Sequence, residues 1–221
     1  MKTIGMLTIG QTPRTDILPS LLSIMGKDYE IIEAGALDGM TLSDIRKMEI
    51  KSDDYILVSR MRDGTEIKVA KRVLLPLLQK RIHEIEAKGV RLTVLMCTGK
   101  FPQFESKGLI VTPSEILHGI VEGALKRGKL AVIFPAKEQI SYIKREFSRE
   151  GVELYGDWLS PYEGEGELDA LCARIKAWKP DLVFLNCFGF TRKVKIAVEN
   201  VTGVPVIQSN AIIAKVLTEL A

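Results

Sequence analysis

Two of the three cysteines in this 221-residue chain occupy matching sequence positions. Cys97 and Cys187 each end a short apolar run, and a glycine follows two residues later in both cases. Two thiols on opposite sides of a carbon beside a carboxylate or carbonyl can exchange its proton, one as base and the other as acid. This chemistry needs no metal or cofactor, but it needs a thiolate and donors for the developing negative charge. The third cysteine, Cys172, belongs to an apolar helical stripe and is predicted to lie in the core.

The elements around these cysteines follow an alternating pattern. Short β-branched runs alternate with amphipathic stretches, which is typical of βα units and a mainly parallel sheet. The predicted strands are 3–9, 29–34, 55–59, 91–96, 130–134, 152–155, 182–186 and 205–207. A long helix is predicted over 66–88 from its 3.6-residue apolar period, with a kink or break at Pro76. Further helix starts are predicted at Thr12-Pro13 and Thr112-Pro113, where a hydroxyl precedes a proline.

The two parts of the chain look alike. Residues 90–101 around Cys97 parallel residues 180–190 around Cys187, and the second Thr-Pro pair lies near the middle of the chain. Ligands of parallel α/β proteins bind at the carboxyl ends of the strands, where both cysteines are expected. Gly99 and Gly189 would let the backbone turn there and would leave amide groups free to face a ligand.

Polar side chains of two strand-end loops are candidates for binding an anionic substrate. In the first βα turn these are Thr8, Gln11, Thr12 and Arg14. Arg60 follows a later strand and carries a guanidinium suited to bidentate carboxylate binding. Two simpler interpretations stay open, a helix cap at Thr12 with Arg14 in solvent, and an ordinary charged surface turn around Arg60.

The composition, 46% apolar and 27% charged, is typical of a globular protein. The 31 basic and 28 acidic residues give a net charge of +3 without a basic block, so we expect no nucleic-acid partner. No apolar run could cross a bilayer and no signal peptide is recognised, so we expect a cytoplasmic protein without a membrane partner. The cysteines form no CxxC pair and the two histidines lack partners at ligand spacing, so we expect neither disulfides nor a metal site.

Four runs, 5–16, 33–39, 95–99 and 185–191, resemble the AroM-type proteins over essentially the whole chain. That family resembles a branch of the aspartate/glutamate racemase superfamily, which also contains hydantoin racemases and arylmalonate decarboxylases. The resemblance implies two pseudo-symmetric, three-layer α/β halves with mainly parallel sheets and a cleft between them. It assigns 1–112 plus 208–221 to the first half and 113–207 to the second, with a final helix crossing back, and by analogy it implies a homodimer.

The resemblance also implies roles for residues around the cysteines. Cys97 and Cys187 become the acid/base thiols, and the loops after them supply the substrate contacts Thr98, Gly99, Phe188, Gly189 and Thr191. Amino-acid racemases of the superfamily continue the second cysteine with Thr-His, whereas Phe188-Gly189 follows here, a pattern closer to hydantoin racemases.

The resulting hypothesis is a cofactor-independent racemase or epimerase that moves a proton beside a carboxylate or carbonyl of a small, carboxylate-bearing molecule. A decarboxylase or isomerase would stabilise the same enolate-like intermediate and stays an alternative. A second alternative is a regulatory protein that binds a small molecule on the same fold without turnover.

Overall fold

The computed structural model describes residues 2–26, 28–162 and 166–221. The chain divides into two compact units, unit 1 (Met1–Pro113 with Ala214–Ala221) and unit 2 (Ser114–Ile213). The strands of unit 1 are β1 (Lys2–Thr8), β2 (Tyr29–Gly35), β3 (Ile56–Arg60), β4 (Glu66–Ala70), β5 (Leu92–Leu95) and β6 (Leu109–Val111). Its helices are α1 (Leu18–Met25), α2 (Leu42–Arg46) and α3 (Lys71–Glu86).

Unit 2 begins with α4 (Pro113–Ala124), whose first residue belongs to unit 1. Its strands are β7 (Gly128–Phe134), β8 (Val152–Trp158), β9 (Leu182–Leu185) and β10 (Val206–Gln208). A 3-10 turn (Lys137–Tyr142) and the helices α5 (Ile143–Phe147), α6 (Leu168–Trp178) and α7 (Arg192–Thr202) connect them. The last helix, α8 (Ser209–Leu220), starts in unit 2 and ends in unit 1.

Each unit contains one four-stranded parallel sheet. The strand order is β2-β1-β5-β6 in unit 1 and β8-β7-β9-β10 in unit 2, so the strands of the two units follow one another in the same topological sequence. Unit 1 adds the antiparallel pair β3–β4. These sheets, flanked by helices, confirm the predicted α/β fold with two similar halves.

The register repeats as well, and it brings both cysteines to the same place. In unit 1, β1 pairs with β5 up to Leu7 and Leu95, and the Met96 N–H then donates to the Leu7 carbonyl at 2.8 Å. In unit 2, the Asn186 N–H donates to the Ile133 carbonyl at 2.9 Å in the equivalent position. The next residue is the cysteine in each case. In each unit the cysteine therefore lies just beyond the carboxyl end of a central strand of the sheet.

The core of each unit lies between its sheet and its helices. In unit 1, α3 buries the predicted apolar stripe against the sheet, and Leu74, Leu78 and Ile82 are fully buried there. In unit 2, α6 contributes Leu171 and Cys172, with Cys172 only 1% exposed. Burying these side chains stabilises each unit by about 1.5–3 kcal/mol per large aliphatic residue.

Two helix predictions are wrong at their starts. Residues 66–70 form β4 instead of the first turn of the long helix, because buried Ile67 and Val69 alternate with the more exposed Glu66 and Lys68 and pair with β3. The helix then runs from Lys71 to Glu86 and continues through Pro76. No helix starts at Thr12, where the hydroxyl donates to Asp38 instead of capping, and α1 begins only at Leu18. The start at Thr112-Pro113 is confirmed by α4.

Candidate functional site

Cys187 lies in a closely packed turn at the end of β9. Its side chain is 7% exposed, and its sulfur accepts a hydrogen bond from the Gly189 N–H at an N···S distance of 3.3 Å. A Cβ atom on Gly189 would lie 2.9 Å from Pro161 Cβ and 3.0 Å from the Tyr162 hydroxyl, so only glycine fits there without displacing its neighbours. This packing fixes the amide that points at the thiol.

Cys97 repeats this arrangement in unit 1. It is 9% exposed, and its sulfur accepts a hydrogen bond from the Gly99 N–H at 3.5 Å. A Cβ on Gly99 would lie 2.8 Å from Leu57 Cδ2, on the strand β3. The same residue spacing therefore gives the same contact in both units, because each Cys-x-Gly turn brings the glycine N–H back onto the sulfur. An amide aimed at sulfur stabilises negative charge on it.

The loop that carries Cys187 is held by polar side chains from the end of β10 and the start of α8. Asn210 Nδ2 donates to the carbonyls of Phe188 at 2.8 Å and Phe190 at 3.0 Å. Gln208 Nε2 also donates to the Phe190 carbonyl, at 2.8 Å. Both amide side chains are buried, with exposures of 3% and 4%. They fix the backbone on either side of Gly189, and the predicted substrate-contact residue Phe188 is itself buried at 2% exposure.

Arg14 is enclosed by other residues of unit 1. It is 2% exposed, and its Nε and Nη2 donate to the two carboxylate oxygens of Asp16 at 2.9 and 2.8 Å. Its Nη1 donates to the hydroxyl of fully buried Thr8 at 2.6 Å. Burial raises the pKa of Asp16, but the hydrogen bonds and charge of Arg14, with a further contribution from Arg60, lower it below its ordinary value overall. This bidentate pair holds the first βα loop of unit 1 in place.

Gln11 and Thr12 also make internal contacts in unit 1. Gln11 donates to the carbonyls of Leu37 at 3.0 Å and Met40 at 2.7 Å, and its Oε1 accepts from the Arg62 N–H at 3.0 Å. The Asp38 carboxylate accepts from both the N–H and the hydroxyl of Thr12 at 2.8 Å. These bonds tie three loops together at the carboxyl end of the sheet.

Of the two arginines among the predicted substrate contacts, Arg60 makes fewer hydrogen bonds to the described residues than Arg14. Its side chain is 22% exposed. Within the described part of the chain, it makes a 3.4 Å contact from Nε to the Met61 carbonyl and a 3.9 Å ion pair with Asp16. The Gln11 N–H donates to its carbonyl at 3.2 Å, which places Arg60 beside the first βα loop. It thus lies at the same end of unit 1 as Thr8 and Arg14.

The two predicted threonine contacts differ in exposure. Thr98, between Cys97 and Gly99, is 9% exposed. Thr191 is exposed and acts as the N-cap of α7, where its hydroxyl accepts from the Val194 N–H at 3.5 Å. The N-cap of α7 therefore lies four residues after Cys187.

Cys172 differs from both other cysteines. It lies inside α6 and is 1% exposed, although the apolar cluster around it also includes Cys187. Burial, with a smaller effect of the Asp169 charge, raises the pKa of its thiol. A raised pKa keeps the sulfur protonated, so Cys172 serves as the internal reference for an inert thiol.

Four structurally important residues were missed in the sequence: Asp16, Asp38, Gln208 and Asn210. Each lies within a few residues of a strand end or a predicted contact, which is the signal that singled out Arg14 and Arg60. Most of their partners are far away in sequence, so spacing alone does not reveal them.

Among the described residues no group of three or more histidine, cysteine or acidic side chains could hold a metal ion. No helix in the same part of the chain is both long and apolar enough to span a bilayer.

Comparison with known proteins places this geometry in a family. The model of the family described as AroM protein matches residues 4–221. The chain belongs to the AroM protein family. This confirms the resemblance carried by the cysteine loops and the first βα turn. A search of curated proteins finds no match to this AroM family member.

Solved structures similar to this AroM family member include racemases, isomerases and a decarboxylase. Maleate cis-trans isomerase from Nocardia farcinica is 13% identical with a TM-score of 0.65, over 99% of this chain and 92% of that one. Allantoin racemase from Pseudomonas fluorescens is 13% identical with a TM-score of 0.61, over 99% and 91%. An arylmalonate decarboxylase is 17% identical with a TM-score of 0.59, over 98% and 92%. At these identities the likeness shows the shared racemase-type fold.

Proposed function

We propose that this chain is a cofactor-independent racemase or epimerase, in which Cys97 and Cys187 exchange a proton at one carbon beside a carboxylate or carbonyl. The observation that supports this most is the repeated Cys-x-Gly turn. Each thiol follows an equivalent strand of an equivalent sheet, and each sulfur accepts the N–H of the glycine two residues later. Cys172 instead lies inside α6, is 1% exposed and has a raised pKa.

The proposed step conserves protons. One sulfur, as thiolate, removes the proton from the carbon, and the C–H electron pair moves into an enolate on the adjacent carboxylate or carbonyl. The other sulfur, as thiol, donates its proton to the opposite face of the same carbon and becomes the thiolate. The two sulfurs exchange protonation states in each turnover, and the reverse turnover or solvent restores the starting state. Which sulfur acts first depends on the substrate enantiomer.

The enolate needs positive charge and hydrogen-bond donors beside it. Arg60 is the proposed carboxylate-binding group, because most of its guanidinium donors are uncommitted within the described residues. Gln11, Thr12, Thr8 and Arg14 shape the same loops through the bonds described above, and their direct contact with substrate stays a prediction. The N–H groups and hydroxyls of Thr98 and Thr191 are the further proposed donors, while the Gly99 N–H donates to the Cys97 sulfur beside them.

Hydrogen–deuterium exchange tests the proposal directly. The protein is incubated in heavy water with amino acids, hydantoins, hydroxy acids and shikimate-pathway acids, and deuterium at the carbon beside the carboxylate is followed by NMR. We expect exchange with at least one class, and interconversion of its enantiomers slowed by roughly 10²-fold or more in both Cys97→Ala and Cys187→Ala, since each removes one acid/base group. The variant Cys172→Ala is the matched control and should retain exchange.

The alternatives predict other outcomes of this experiment. Loss of carbon dioxide or a cis-trans conversion instead of exchange would identify a decarboxylase or isomerase, in line with the similar structures named above. Tight binding of a panel member without any chemical change would identify a regulatory protein. Interconversion of the enantiomers that survives in either single cysteine variant would contradict the two-thiol mechanism.

A further inference from the structure

Unit 2 contains a cavity of about 240 Å³ at the carboxyl end of its sheet. One wall follows β8 directly and includes Leu159 and Pro161, and another is formed by the start of α7 with Val194. Leu168 of α6 and the backbone at Gly189 also line the cavity. Ligands of parallel α/β folds bind at this end of the strands, so the position is that of a substrate subsite.

The cavity and the Cys187 thiol share one residue. Gly189 lines the cavity, and its N–H donates to the Cys187 sulfur at 3.3 Å. Its Cα side packs so closely on Pro161 that a Cβ would lie 2.9 Å away. A group inside the cavity therefore lies against the residue whose N–H donates to the thiol.

The lining determines which group fits. Among the described residues of the lining, Leu159, Pro161, Leu168 and Val194 are apolar. The polar ones are Ser160, Thr191 and the solvent-exposed Lys193. A carboxylate placed against the leucines and the valine would lose hydration that these side chains cannot replace, which is costly. An apolar group gains from the same surface. A cavity of about 150 Å³ lined by aliphatic and aromatic side chains accommodates benzene, so this one has room for a branched aliphatic or phenyl-sized group.

We infer that this cavity receives the apolar substituent of the substrate, and that the acid turned over carries a branched aliphatic or aryl side chain instead of a second carboxylate. This inference rests on the proposed function for the reacting carbon, but binding at the cavity can be measured without turnover. Val194 is the position where cavity volume can be changed, because it lines the cavity from the first turn of α7 and is only partly buried.

Two measurements with two variants test the inference. Val194→Phe fills the cavity, and Val201→Phe places the same side chain on an exposed part of the same helix, 37% exposed in the wild type. Phenylacetate, 4-methylpentanoate and succinate are titrated against each protein by ligand-observed NMR. Exchange in heavy water is then measured with alanine, leucine, phenylalanine and aspartate and with their hydantoins.

The expected binding pattern is specific. Phenylacetate and 4-methylpentanoate bind the wild-type protein and Val201→Phe more tightly than succinate, and Val194→Phe weakens both by roughly tenfold or more. In exchange, Val194→Phe slows the leucine and phenylalanine substrates by a similar factor and leaves the alanine substrates within about twofold.

Each contrary result has one meaning. Tighter binding of succinate than phenylacetate, or equal effects of Val194→Phe and Val201→Phe, would overturn the inference. Absence of binding by all three acids would overturn it too, whether or not exchange occurs. Binding in the expected order without exchange by any substrate would leave the cavity assignment standing and refute the proposed function.

Discussion

The Gly189 N–H lies 3.3 Å from the Cys187 sulfur, and the residue that makes this contact has no room for a side chain. Gly189→Ala places a methyl group 2.9 Å from two Pro161 carbons, so the turn must shift. We expect a loss of about 1–3 kcal/mol in the free energy of unfolding and a changed alkylation rate at Cys187. Urea denaturation and iodoacetamide labelling measure the two effects.

A helical glycine provides the control for this substitution. Gly119 lies in α4, and a Cβ there meets no atom within 4 Å. Gly119→Ala should therefore be neutral or stabilising by up to about 1 kcal/mol, with unchanged labelling of Cys187. Equal effects of Gly189→Ala and Gly119→Ala on the free energy of unfolding and on the labelling of Cys187 would contradict the close packing of the Cys187 turn.

Asn210 provides a second test of the Cys187 loop, from outside it. Asn210→Leu keeps the side-chain size but removes both hydrogen bonds, leaving the buried Phe188 carbonyl without this donor. We expect a destabilisation of about 1–3 kcal/mol and a change in the alkylation rate of Cys187. Mass spectrometry of labelled peptides separates the sites, and Cys97 in unit 1 is the internal reference whose rate should not change. Equal changes at both cysteines would argue for a general loosening of the protein.

The pH dependence of stability tests the ion pair between buried Arg14 and partly buried Asp16. The pKa of Asp16 is lowered from 3.8, so its contribution to stability is present above that pH and is lost as the pH falls through the lowered folded-state pKa. Asp16→Asn leaves the 2% exposed Arg14 without its bidentate partner and should cost on the order of 3 kcal/mol at pH 7.

Urea denaturation of both proteins between pH 7 and pH 2 gives the comparison. The difference in the free energy of unfolding between wild type and Asp16→Asn should shrink as the pH falls below 3.8. Asp53→Asn, at an exposed aspartate, is the control and should differ little from wild type at any pH. A constant difference across this range would mean that Asp16 is not ionised against Arg14 in the folded protein.

Much of the fold could be predicted from local pattern. The parallel strands have short β-branched runs, and the repeat around the two cysteines marks both sheets, because a buried central strand needs a continuous apolar run. The strand β4 was missed because Ile67 and Val69 also fit the helical period of the residues that follow. Only pairing with β3, a tertiary contact, decides between the two.

In the candidate site too, some positions follow from local sequence and others depend on tertiary contacts. The positions of Cys97 and Cys187 follow from the sequence, because a strand end determines where the next residue lies. The contacts of Arg14 do not follow from the sequence. A guanidinium in a strand-end loop can either face a ligand or pair with an internal carboxylate, as Arg14 does with Asp16, and the sequence does not distinguish the two. Likewise Asn210 reaches the Cys187 loop across 22 positions of sequence, a separation that no local motif encodes.

Thiol labelling of the native protein distinguishes the three cysteines. Burial, with a smaller effect of Asp169, raises the pKa of Cys172 from 9.0, and its side chain is 1% exposed, so both thiolate formation and access are disfavoured. We expect Cys172 to react with iodoacetamide more slowly than Cys97 and Cys187 from pH 7 to pH 9, and all three to react at similar rates in urea. Labelling of Cys172 in the folded protein as fast as the other two would refute this distinction.

The fate of the proton during the first turnovers tests the two-thiol proposal most directly. A single enantiomer of the fastest-exchanging panel member is incubated with the protein in heavy water, and both enantiomers are separated at low conversion and analysed by mass spectrometry. If two thiols serve opposite faces, the newly formed enantiomer carries deuterium while the recovered starting enantiomer remains almost entirely protiated. Deuterium in the starting enantiomer at an equal or greater rate, or no exchange with any panel member, would contradict the proposal.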